Sequence, residues 1–241
     1  MIVLTLDSET LCKQNSSNKP ENFTVYFSNP LNFTDGKYEV SLYSGNIWYS
    51  WYNINKENNN NYFWYGNANN KSFFELNDGM YDIDRINQLV TDINGDERIT
   101  FKVDKYSSKC IIKIDDDHFI DFTDGELYKI LGFEQKRYKG GTHLSPNLIN
   151  ITNGLDRVFI KCSIVDNSYF NGKKDKILFS FTPNDLPSSL LRIHPKPDLM
   201  WLNIGEKTVQ ELQIRIVNKD DKDINLNGEH ITLVLLITKI Y

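Results

Sequence analysis

Cysteine and proline are scarce in this sequence, and so are the charge blocks and long apolar runs that mark several whole classes of protein. The three cysteines, Cys12, Cys110 and Cys162, lie far apart in 241 residues, which supports neither a disulfide framework nor a paired metal-ligand spacing. Two of them sit inside apolar alternation, where a reduced thiol acts as a small hydrophobe. With only 7 prolines, 24% charged residues and 13% aromatics, the composition excludes a disordered chain. A net charge of −5 excludes a surface built mainly to neutralise phosphates, so nucleic acid is not expected as the principal partner. The basic clusters KRYK at 136–139 and Lys173-Lys174 are short and read as solvated loops. No stretch approaches the roughly 18 apolar residues needed to span a bilayer. The N-terminal MIVLTLDSE lacks a basic region and breaks at Asp7, so no secretory signal is expected and the chain is expected to assemble inside a cell.

Motifs that carry chemistry are equally sparse. The four histidines, His118, His143, His194 and His230, are isolated from one another and match no zinc pattern. The run DDDH at 115–118 invites a metal reading, but neighbours on a strand point to opposite faces and the spacing fits no calcium loop. It is expected to be a polar hairpin turn, and DDKD at 220–223 a solvated one. No nucleophile elbow, P-loop or dinucleotide fingerprint occurs. The expectation is therefore no catalytic residues, no cofactor, no metal and no enzyme.

What the sequence does contain is period-two alternation. Leu212, Ile214 and Ile216 point one way and Gln213 and Arg215 the other, which is a half-buried strand. A polar turn and a nearly continuous apolar run from His230 to Ile240 follow, so the C-terminus reads as a long antiparallel hairpin whose last strand is central in its sheet. Further strands are expected at 23–27, 37–43, 62–65, 72–76, 99–103, 110–114, 158–165, 177–181 and 198–203. Their short lengths and Asn/Asp/Gly-rich separators favour an all-β sandwich. Two helices interrupt it. One has apolar residues at Ile83, Ile86, Leu89, Val90 and Ile93, with Asp82 as cap and Gly95 past the end. The other is short, with Thr123 and Glu126 spaced as a capping box and Gly132 as its C-terminal glycine. The Asn-rich stretch after Glu57 reads as a loop tip. No repeat or linker divides the chain, so one domain is expected over 1–241, with residues 1–22 as an N-terminal arm or edge strand.

The aromatic segments IWYSWYN at 47–53 and YFWY at 62–65 stand out, because aromatic rings join large apolar area to a polar handle and serve cores and interfaces alike. Trp48, Tyr49, Trp51, Tyr52 and Trp64 are the candidate interface aromatics. A sugar platform on Trp48 and Trp51, as in a carbohydrate- or receptor-binding module, is the alternative. A cupin-like metal enzyme is a third class.

The ordered series KYEVSL at 37–42, WYSWYNI at 48–54, GMYDIDRIN at 79–87, LYKILGF at 127–133, VFIKCSIV at 158–165 and INLNGE at 224–229 resembles the penton-like minor capsid proteins of Polinton/Maverick elements, adintoviruses and virophage-like viruses. The resemblance runs from about Lys37 to the C-terminus. It implies a single jelly-roll of two antiparallel sheets that forms homopentamers at the fivefold vertices of an icosahedral virion, beside a separate double jelly-roll major capsid protein. It carries over neither catalytic nor contact residues.

Overall fold

The structure, a computed structural model, describes residues 1–94, 98–153, 155–195 and 199–240. In chain order its elements are β1 (Ile2–Asp7), α1 (Ser8–Gln14), β2 (Asn22–Asn32), β3 (Lys37–Trp48), β4 (Tyr62–Asn67), β5 (Lys71–Glu75), α2 (Ile83–Asn94) and β6 (Ile99–Asp104). There follow β7 (Lys109–Asp121), α3 (Leu127–Leu131), β8 (Arg137–Leu144), β9 (Val158–Cys162), β10 (Ser168–Phe170), β11 (Lys173–Asp175) and β12 (Ile177–Phe181). The last are β13 (Leu190–Ile193), β14 (Leu202–Asn203), β15 (Thr208–Val217) and β16 (Ile231–Ile240). These divide between two compact units, one made of Met1–Trp51 with Leu155–Tyr241, the other of Tyr52–Gly154.

In the first unit, alternation sets which side chains turn inward. Ile231, Leu233, Leu235 and Ile237 of β16 are buried, and so are Leu212, Ile214 and Ile216 of β15. They meet Val40, Leu42 and Ile47 of β3, Val158 and Ile160 of β9 and Phe23 of β2 in one core. Two antiparallel sheets enclose it, ordered β1-β16-β3-β13 and β12-β9-β15-β2, with β14 also pairing β3. The pairing is that of a long hairpin folded over: the first strand joins the last (β1 with β16), β2 joins β15, β3 joins β13 and β9 joins β12. Two further pairings, β16 with β3 and β15 with β9, complete the sheets. That wrap is the jelly-roll.

The second unit is inserted in sequence between β3 and β9 and has its own core, built on Phe63, Phe74, Phe101, Ile112, Ile120, Phe122 and the α2 residues Ile83, Ile86 and Val90. Its sheet is organised by β7, 13 residues long, which pairs β6 and β4 through different halves and β8 along both. Asp82 accepts a hydrogen bond from the Arg85 amide at 2.7 Å, the cap expected of it. Gly132 closes α3 in the left-handed conformation, φ 78°, as expected.

Several expectations are corrected. β15 and β16 do not form a hairpin: they lie in opposite sheets. The segment joining them crosses the sandwich and buries Ile224 and Leu226 on the way. The run 115–118 is no turn but a bulge inside β7, since Ile114 pairs Gly141 while Phe119 pairs Lys139. KRYK runs into β8 and Lys173-Lys174 lies in β11, so neither is a solvated loop. Thr123 does not cap α3. Its amide and hydroxyl both donate to Asp121, and the residue preceding the helix, Glu126, makes no side-chain cap bond. A third helix, α1, was not foreseen. Residues 2–7 form an edge strand paired to β16. Gly95 and Asp198 lie outside the described residues.

Candidate interaction surfaces

The aromatic residues picked out from the sequence go to different places. Trp48 ends β3, opposite Leu190, and is 41% exposed. Tyr49 and Trp51 come together with ring centroids 4.4 Å apart, Tyr49 packing against the core and Trp51 buried within it at 2% exposure. Burial pushes the Tyr49 phenol up from its ordinary value. With Trp51 inside, no exposed Trp48/Trp51 pair exists to serve as a sugar platform. Tyr52 and Trp64 belong to the second unit, both half-buried. Trp64 stands on the outer face of β4, its ring 4.9 Å from that of Phe73 and 4.6 Å from the Lys71 ammonium.

On that outer face the strand pairings place Phe73, Trp64, Asp121 and Arg137 in one row across β5, β4, β7 and β8. The Asp121 side chain is only 2% exposed. It accepts from Arg137 Nε at 3.0 Å and Nη2 at 2.6 Å, and from the Thr123 amide at 3.0 Å and hydroxyl at 2.7 Å, with Lys71 Nζ 3.6 Å away. Burial alone would raise its carboxyl, but the hydrogen bonds from Thr123 and Arg137 outweigh it and hold the group at about 2. Every acceptor site of the carboxylate is taken up internally. The network therefore locks three strands in register and leaves nothing for chemistry.

Three further side chains, His118, Cys110 and Cys162, are constrained as well. His118 Nδ1 lies 2.6 Å from Asp117, and among the described residues no three His, Cys, Asp or Glu side chains gather to hold a metal. Burial pushes the Cys110 and Cys162 thiols up to about 12, far from the thiolate form a nucleophile needs. Among the described residues no helix is long and apolar enough to cross a membrane.

The two outer faces of the jelly-roll differ sharply in chemistry. On the β2–β15–β9 side, Lys161 binds Asp175 at 2.6 Å and Asp221 at 2.9 Å, while Arg215 reaches Asp221 at 3.1 Å and Asp223 at 2.8 Å. Burial would lower the Lys161 ammonium, yet Asp175 and Asp221 raise it. These ion pairs bring the segment after β15 and the strand β11 onto that sheet. On the β1–β16–β3 side the outward rows read Val3, Leu236, Ser41, then Thr5, Val234, Ser44. Tyr43, the extra residue of a bulge in β3, adds its ring beside them. Val3 is 59% exposed and Tyr43 55%. Among the described residues, charge on this face lies toward its two ends, with Asp7 and Arg192 at one and Glu39 and Lys37 at the other. Nothing in the sequence isolates this face, because Val234 and Leu236 read as part of one continuous apolar run.

No protein-family model and no curated protein matches the chain. Among solved structures, the fold is similar to the crystal structure of the mavirus penton protein, with a TM-score of 0.50 and 13% identity over 99% of both chains. A chain in the cryo-EM structure of the Sputnik virophage aligns with a TM-score of 0.49 and 13% identity over 98% of both. The fold is thus similar to that of this protein along almost the whole chain.

Proposed function

We propose that this chain is a structural capsid protein of the penton type, a homopentameric subunit that occupies the fivefold vertices of an icosahedral virion beside a separate double jelly-roll major capsid protein. The observation that carries this reading is the complete eight-strand jelly-roll wrap with a second unit inserted between its third and fourth strands, in a chain whose whole length aligns with the mavirus penton protein. The internal occupation of the polar groups supports it further: the ionisable side chains described above bind one another, as suits a protein whose task is to hold shape. Assembly by such a subunit needs no reactive group. It needs a rigid sandwich with a surface free for a neighbour, repeated around a closed ring so that each weak contact is reinforced by the rest.

Size-exclusion chromatography with light scattering tests the stoichiometry. A species of about 140 kDa, five times the 28.1 kDa chain, is the expected result as concentration rises. A discrete dimer or trimer stable over the same range would refute a pentameric ring.

A further inference from the structure

We infer that the outer face of the β1–β16–β3–β13 sheet is the surface on which a second copy of this chain seats. The inference rests on the penton reading and deepens it, because it names the contact the ring would use.

Three observations converge on this face. First, it leaves large apolar side chains open beside a few polar ones: Val3, Tyr43, Trp48 and Ile240 are four of the large hydrophobic residues left exposed, and the half-buried Val234 and Leu236 lie between β1 and β3. A sheet face that met only water would carry charges or longer polar side chains at these positions. Second, the charge distribution selects the occupant. Each copy carries a net charge of −5, so copies repel and must meet where carboxylates are absent. The centre of this face, formed by Val3, Leu236, Val234 and Tyr43, lies between the row of Asp7 and Arg192 and the rows of Glu39 and Lys37 and holds no charge itself, the arrangement of an apolar centre inside a polar rim. A nucleic acid or an anionic lipid surface would instead require several Lys or Arg side chains grouped together, whereas Arg192 and Lys37 lie at opposite ends of this face. Third, the size fits. Strands rise about 3.4 Å per residue and lie about 4.8 Å apart, so the four strands present on the order of 500 Å² per copy. Two contributing surfaces then bury about 1,000 Å², near the lower bound for a specific contact. Such a contact is weak for an isolated pair and sufficient in a ring, where every copy makes it twice, once with this face and once with the surface that receives it.

The test uses the full chain with Val234→Lys and Leu236→Glu, singly and together. Both positions point away from the core, so circular dichroism and thermal unfolding should match the wild type. Self-association read by light scattering should weaken about 100-fold in the double variant, as charge is forced into an apolar contact. The matched control is Gln213→Lys on the opposite outer face, which should assemble as the wild type does. A folded double variant with wild-type self-association overturns the inference and leaves the penton reading standing. Should the wild type be monomeric alone, the same variants are scored for vertex occupancy after co-expression with a double jelly-roll major capsid protein, and occupancy equal to wild type overturns it there. A wild-type chain that enters no vertex and forms no oligomer removes the penton reading and this contact with it.

Discussion

Replacing Asp121 by Asn isolates the one strongly perturbed carboxylate among the described residues of the inserted unit. The side chain keeps its size and an oxygen to accept from Thr123, but it loses the charge that Arg137 meets at 2.6 Å. The carboxyl is held at about 2 against an ordinary value of 3.8. Because the folded value lies below the unfolded one, the stabilisation is fully present above pH 4 and is lost as the pH falls through the folded value. At about 1.4 kcal/mol per tenfold change in proton affinity, this contributes about 2 kcal/mol at neutral pH, about 1 at pH 3 and close to nothing by pH 2. Urea unfolding of wild type and Asp121→Asn at pH 7, 4 and 3, followed by fluorescence, reads the difference directly. The gap between them should be about 2 kcal/mol at pH 7 and pH 4 and should narrow at pH 3. A gap that is the same at all three values, or absent at pH 7, would refute the reasoning, because it would mean that shape and not charge holds the strands together there.

Other outcomes follow from equally local features. A Cβ on Gly140 would lie 2.5 Å from Asp116 Cα and 2.7 Å from its carbonyl oxygen, so Gly140→Ala must open the bulge in β7. It should cost about 1–3 kcal/mol, whereas an unchanged melting temperature would show that the strand yields freely. Of the three thiols, only Cys12 is not fully buried, so an aromatic disulfide reagent should titrate one thiol in the native protein and three after unfolding. Native reaction of Cys110 or Cys162 at the rate of Cys12 would contradict the packing. The single domain expected over 1–241 requires one cooperative transition in scanning calorimetry. Two resolved transitions would replace it by a jelly-roll and an independently folding insertion.

How much of this was legible in the sequence depends on the range over which each feature is decided. Alternation in β15, the apolar run of β16 and the capped, periodic α2 are local, and the reading of each as a strand or helix agrees with the structure. Strand partnership is not local. Leu212 and Leu233 both announce a strand, but nothing in the intervening turn says that one enters the sheet of β9 and the other that of β3. Asn60 and Asn61 show the same limit from the other side. A run of asparagines reads as an exposed tip, yet both side chains are buried, Asn60 donating to Asn53 O at 2.9 Å and Asn61 to Leu76 O at 3.0 Å. Polar residues can be buried whenever the backbone supplies partners, and those partners are set by the tertiary fold. The insertion was illegible because its strands, 5 to 13 residues long, overlap in length with the 4 to 12 residues of the strands in the eight-strand wrap that holds it. Of the aromatic candidates, Trp48 went to the surface and Trp51 to the core, three residues apart at the end of β3. That choice is made by where the strand stops.

The most direct trial of the central claim is to image particles formed when this chain is co-expressed with a double jelly-roll major capsid protein. The account predicts jelly-roll density with fivefold symmetry at the vertices, present when the chain is included and missing when it is left out. Closed particles whose vertices are filled by the major protein alone, with this chain absent from them, would contradict it.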